Sequence, residues 1–278
     1  MTYKPGLRIA GKGSAAHQFK EHLRGVALDG DGLIYAVGDS SVKVFADDGE
    51  FVRQWATGTP GFCVSVDRGG RVWVGQWDQV EIFDAKGHLA DTWQDPDRLG
   101  LVTSIGFVND DVLLADADAR WIRRYDREGN FLNNIGAQHR KGGFHIPNGV
   151  VDFAIDKSGI LHVANPGMHR VERYRPDGEL LGHFGRFDGR DPAGFPGCCN
   201  PTNLALDTEG RVIVSEKAGP RVKVYDADGE LLAVAADGLF DAAAKNMDLA
   251  VGSGGQIYVA DTVALEVRVL NRQTEGTP

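Results

Sequence analysis

Along most of the chain apolar and polar residues alternate at period two over runs of four to seven positions, with Val, Ile, Tyr and Phe prominent. Alternation of that kind predicts half-buried strands, since a helix would repeat its apolar face every three to four residues. Asp-Gly and Asp-x-x-Gly punctuate the runs and predict tight turns. The runs recur as a larger unit: an apolar-small-apolar-Asp strand, a Gly turn, an alternating strand ending near Ala-Asp, then Arg-Val-x-x-Tyr/Phe-Asp-x-x-Gly. Six copies are visible, opening at Val26-Ala27-Leu28-Asp29, Val64-Ser65-Val66-Asp67, Ile105-Gly106-Phe107, Phe153-Ala154-Ile155-Asp156, Leu204-Ala205-Leu206-Asp207 and Leu249-Ala250-Val251.

A four-stranded sheet cannot hide both faces alone, whereas sheets packed in a ring bury both and leave only short, protected edges. The expected fold is therefore all-β: a six-bladed β-propeller of four-stranded antiparallel blades, forming one domain over residues 1–278. The sixth copy ends at Asn271-Arg272 without an outermost strand. Leu7-Arg8-Ile9-Ala10-Gly11-Lys12-Gly13 matches fourth-strand stretches such as Phe131–Gly136, so the N-terminal strand is expected to complete the last blade.

Gly-Val-Ala-Leu-Asp, Val-Ala-Asn-Pro-Gly-Met-His-Arg-Val and Pro-x-x-Leu-Ala-Leu-Asp resemble NHL repeats over nearly the whole chain. The run Cys198-Cys199-Asn200-Pro201-Thr202-Asn203 is also similar to bacterial NHL proteins. That family includes binding scaffolds, kinase sensor domains and a zinc-dependent peptide-amidating lyase, so the resemblance implies a fold more than a function. In the lyase the zinc histidines stand just before the inner strands. Here those positions are Arg24, Phe62, Thr103, Val151, Thr202 and Met247, so its activity is not carried over.

Charge and composition narrow the partners. The chain has 30 Lys plus Arg against 39 Asp plus Glu, a net charge of −9, which opposes binding to nucleic acid. No apolar run is long enough to span a membrane and the N-terminus lacks a secretory core. A soluble protein is expected, cytoplasmic as written or exported if a leader was removed. Three cysteines are too few for a disulfide framework.

The resemblance implies that inner-strand entries and the loops between second and third strands share one face around the axis. The inner-entry position, normally Gly, is Gly25, Cys63, Ser104, Asp152, Asn203 and Asp248; the loop position is Gly38, Gln76, Asp116, Asn165, Glu216 and Asp261. Asp152, Asn203, Glu216 and Asp248 would form an oxygen-rich set for a divalent metal, calcium or a transition metal. It resembles, in single residues, the Asn and Asp opening inner strands in gluconolactonase-type lactonases. The alternative is that loop-position carboxylates and amides only cap turns.

Cys63, Cys198, Cys199, Asn203, Trp77 and Arg24 are the further candidate ligand-binding residues. Adjacent Cys198 and Cys199 are either two thiolates suited to a soft metal, a strained disulfide, or small residues filling a turn. Histidines 17, 139, 145, 162 and 169 show no metal-ligand spacing. Two functions follow. One is a polar axial pocket for a metal ion or small molecule, whose catalytic form is a metal-dependent hydrolase or lyase with Asp152 or Asp248 as general base. The other is a non-catalytic protein-interaction scaffold or sensor using Arg24, His139, Arg140, Lys141, Lys217 and Arg221 on the same face.

Overall fold

The computed structural model describes residues 1–139 and 142–273. The described residues hold 24 strands and no α-helix. After β1 (Thr2–Ala10), blade one is β2 (Gly25–Leu28), β3 (Ile34–Gly38), β4 (Ser41–Phe45) and β5 (Phe51–Ala56). Blade two is β6 (Cys63–Val66), β7 (Val72–Gly75), β8 (Gln79–Phe83) and β9 (Leu89–Gln94), and blade three is β10 (Val102–Val108), β11 (Asp111–Asp116), β12 (Trp121–Tyr125) and β13 (Phe131–Ile135). Blade four is β14 (Phe153–Ile155), β15 (Leu161–Asn165), β16 (Arg170–Tyr174) and β17 (Leu180–Phe184). Blade five is β18 (Asn203–Leu206), β19 (Val212–Glu216), β20 (Arg221–Tyr225) and β21 (Leu231–Asp237). Blade six is β22 (Leu249–Val251), β23 (Ile257–Asp261) and β24 (Glu266–Gln273), with β1 as its fourth strand. The six sheets are antiparallel and four-stranded, as the repeat predicts.

The turns show why the Asp-x-x-Gly signature recurs. Asp67 Oδ1 accepts the N–H of Gly69 at 2.9 Å and of Arg71 at 3.0 Å, while Gly70 takes φ +77°, a left-handed conformation costly for other residues. Side chains then alternate between the two faces of each blade. Six hydrophobic clusters result, one at each interface between neighbouring blades. In the cluster between blades one and two, Val37, Val42 and Val44 meet Val72 and Val74; each fully buried aliphatic side chain contributes about 1.5–3 kcal/mol. Trp93 packs edge-on against Trp73 with ring centroids 5.1 Å apart, and Trp55 lies 5.7 Å from Phe83, so both serve blade packing.

Ring closure differs in detail from the expectation. The closing strand is Thr2–Ala10, beginning earlier than the Leu7–Gly13 stretch, and it pairs with β24 from Thr2 opposite Gln273 to Ala10 opposite Glu266. An outermost strand is exposed on both faces, so it carries little alternation to read. Pro5 is tolerated because this strand is an edge, and the register shifts between Pro5 and Arg8.

Candidate functional site

The inner strands β2, β6, β10, β14, β18 and β22 stand side by side around the axis. At their entries the side chains link one blade to the next. Cys63 Sγ lies 3.6 Å from the Val102 carbonyl, and Thr103 Oγ1 donates to the Val151 carbonyl at 2.7 Å. Asp152 Oδ2 accepts the Leu204 N–H at 2.8 Å, and Asp248 Oδ2 accepts the Val26 N–H at 2.8 Å. Gly25 is small of necessity: a Cβ there would stand 3.1 Å from Cys63 Cα and 3.2 Å from the Val64 nitrogen. Inner-entry residues far apart in sequence are thus gathered into one belt, and part of their hydrogen-bonding capacity is spent on holding it.

The axial channel has two halves of about 350 Å³ each, both lined by Thr103 and Asp248. The upper half is a funnel lined by Arg24, Phe62, Asn148, Asn203 and Lys245 among others; Cys63, Ser104 and Asp152 line the lower half. Asp152 and Asp248 are buried and interact electrostatically across this waist. Burial pushes the Asp152 carboxyl up to about 6, opposed by hydrogen bonds from Leu204, Ser104, Phe153 and Asn203. Burial, then the charge of Asp152, pushes Asp248 up to about 8, with only the Val26 and Leu249 N–H groups opposing. Fewer donors explain why Asp248 is the more readily protonated of the two. Burial and mutual repulsion thus favour retention of a proton by one carboxyl beside the charge of the other.

Among the described residues Arg24 and Lys245 bring positive charge to the funnel wall. Arg24 is half-buried and its guanidinium stacks 4.5 Å from the Phe62 ring centroid; burial lowers its pKa. Lys245 is held by a clasp with Thr262, whose hydroxyl donates to the Lys245 carbonyl at 3.1 Å. Next to it Asn246, at φ +49°, accepts the Asn148 amide at 3.0 Å. The buried oxygens Asn148 Oδ1 and Asn203 Oδ1 have no partner among the described residues, and an unmet buried acceptor costs about 1–3 kcal/mol.

Glu216 does not join this group. Its buried carboxylate is taken by Lys223 Nζ at 2.8 Å and by Arg221 at 2.8 Å within blade five. The same arrangement recurs at the other loop positions. Asp116 pairs with Arg123 at 2.9 Å and Asp261 with Arg268 at 2.9 Å, and Asn165 donates to Glu172 at 3.0 Å. Asp116 and Asp261 also cap their turns, each accepting two N–H groups at 3.0 Å. Glu216→Ala is expected to cost about 3 kcal/mol, because it removes the counter-charge of the fully buried Lys223 ammonium and leaves it the Gly194 carbonyl at 2.7 Å; Lys223→Met in the same background should restore part of the loss in urea unfolding.

Trp77 is 54% exposed and sits at the rim, where its backbone bridges to Leu101 of the funnel wall. Cys198 and Cys199 lie on the connection into blade five, beside the β19–β20 turn. His139 bonds Glu172 at 3.0 Å and Arg221 pairs with Glu216, which occupies two members of the basic interaction set. Arg140 and Lys141 lie outside the described residues. Among the described residues no three His, Cys, Asp or Glu side chains stand close enough to hold a metal ion. No helix among them is long and apolar enough to cross a membrane.

Comparison with known proteins agrees with this architecture. The chain is 25% identical over 198 residues to NHL repeat-containing protein 3 of Homo sapiens, covering 64% of this chain and 55% of that protein. It is 27% identical over 124 residues to Protein brain tumor of Drosophila melanogaster, covering 44% of this chain and 11% of that one. The matches thus span about half and about a tenth of those relatives' lengths. The crystal structure of virginiamycin B lyase from Staphylococcus aureus superposes with a TM-score of 0.61 at 12% identity, over 98% of this chain and 90% of that one, and shares the fold. No family model matches the chain.

Proposed function

Because the chain is an NHL-repeat six-bladed β-propeller, we propose that its function is exercised in the axial funnel, as binding of a small hydroxylated organic anion. The observation that carries this reading is the pairing of a cationic wall with an acidic floor in one cavity of about 350 Å³, within the range of small-molecule sites. Arg24 and Lys245 supply positive charge in a chain whose net charge is −9. Arg24 is partly desolvated and pre-positioned on Phe62, so little entropy is lost when it meets a carboxylate or phosphate. Phe62, Leu101 and Val150 offer apolar wall to the ligand's body. Asn148 and Asn203 line the funnel with amide groups suited to ligand hydroxyls, and Asp248 offers a donor while it holds its proton.

In a catalytic form of this reading Asp152 and Asp248 act as base and acid, since environments that separate two carboxyl pKa values assign the two roles. The donor set does not favour a metal: the belt carboxylates already accept backbone N–H groups, and among the described residues no three acidic, His or Cys side chains, Cys63 included, stand close enough to share one ion. The test is a thermal-shift screen of organic acids together with elemental analysis. A hydroxy acid at about 100 times its Kd should stabilise by about 2.7 kcal/mol, a rise of roughly 5–10 °C. Arg24→Leu should weaken that ligand roughly 10–100-fold with the fold intact. Stoichiometric bound metal, or ligands indifferent to Arg24→Leu, would overturn the reading.

A further inference from the structure

The turn carrying Cys198 and Cys199 has a chemistry of its own. It belongs to the connection between β17 and β18 and is pinned to blade five. Phe195, at the start of the turn, is fully buried against Tyr225 with ring centroids 5.6 Å apart. The Asn200 amide donates to the carbonyls of Pro196 at 2.7 Å and Lys217 at 3.0 Å, and its oxygen accepts the Lys217 N–H at 2.9 Å. On this frame both cysteines are free, with their sulfurs 3.0 Å apart. Cys198 is exposed and Cys199 is buried, so the pair has one open side.

We infer that Cys198 and Cys199 form a vicinal-dithiol site for a trivalent metalloid centre of the arsenical class, both sulfurs bonding one atom. Two observations select that chemistry. With bonds to sulfur of about 2.3 Å, a separation of 3.0 Å sets an angle of about 80° at the bridging atom. Pyramidal trivalent centres prefer angles close to a right angle, whereas tetrahedral zinc would need the sulfurs about 3.8 Å apart. A disulfide would need them to close to about 2.0 Å within the ring of two adjacent residues. Second, a monosubstituted trivalent arsenic fills its third position with its own substituent. It therefore needs no third protein ligand, and among the described residues no third His, Cys, Asp or Glu completes a metal-binding group here.

Lys217 assists the reaction. The Cys199 hydrogen bond, then the Lys217 charge, draw the Cys198 thiol below its usual range. Burial raises Cys199, and its hydrogen bond with Lys217 opposes the rise. With an organoarsenic(III) oxide, each thiol exchanges its S–H bond for an As–S bond. The two protons leave with the oxide oxygen as one water, and no atom changes oxidation state.

The experiment is titration of the reduced, desalted protein with phenylarsine oxide, read by intact mass and by thiol counting. One adduct per chain is expected, at the reagent's mass less one water, with both thiols lost together and recovered by excess dithiol but not by monothiol. Cys198→Ser and Cys199→Ser should each weaken binding by roughly 100-fold or more, since the second As–S bond gains from effective concentration. Cys198 is exposed, so its variant decides the matter if Cys199→Ser fails to fold. An adduct equally tight in Cys198→Ser, tighter binding of zinc than of the arsenical, or a pair that stays oxidised after reductant would each overturn the inference.

Discussion

Removal of residues 1–10 is expected to lower the midpoint of thermal unfolding by roughly 15 °C and to make the protein prone to aggregate. This segment pairs with β24 along its length and buries Ile9, which is 2% exposed, in the cluster between blades six and one. Burial of Ile9 contributes about 1.5–3 kcal/mol. The ladder hydrogen bonds add about 0.5–1.5 kcal/mol each. A sum of about 5–8 kcal/mol corresponds to that shift at roughly 2–4 °C per kcal/mol for a domain near this size. Aggregation follows because β24 becomes an unpaired edge. Scanning calorimetry of the truncated chain checks both; an unchanged midpoint would mean that the ring does not depend on this strand.

Asp248→Asn is expected to stabilise the protein in alkali and not in acid. The folded-state pKa of Asp248 is raised from 3.8 to about 8 by burial and by Asp152. Between those values the folded protein holds a proton that the unfolded chain releases, so the contribution favourable to folding is complete below about pH 4 and is lost as pH rises through about 8. The loss is on the order of 5 kcal/mol, at about 1.4 kcal/mol per pKa unit. An asparagine keeps an oxygen for the Val26 N–H and carries no charge. Urea unfolding of both proteins from pH 4 to 9 should show a gap that opens with pH. Parallel curves would show that the carboxyl is not buried beside a second one.

The fold was legible because strand period, turn chemistry and repeat length agree in every blade. The inner-entry residues were legible for the same reason: Cys63, Asp152, Asn203 and Asp248 occupy one register position, and equal positions in a closed ring meet at the axis. Glu216 was placed with them on similar grounds and lies elsewhere. The signal was a partner seven positions on, as in Asp116 with Arg123 and Glu216 with Lys223, which ties the end of a second strand to the third strand of its own blade. Asn148, Lys245 and Asn246 carry no signal in the sequence because they lie in connections outside the repeat, where no register says which way a residue faces. In the sequence Phe62 and Thr103 stand out only as positions lacking histidine. That Phe62 carries the Arg24 guanidinium is a contact between blades, invisible along one strand.

The meeting of Asp152 and Asp248 at the waist of the channel is best tested by carbon-13 NMR titration of their side-chain carboxyl groups. Asp248 should titrate near pH 8 in the wild-type protein and at lower pH in Asp152→Asn, where the neighbouring charge is gone. Two carboxyls titrating in the ordinary range of about 4, each indifferent to substitution of the other, would contradict the account.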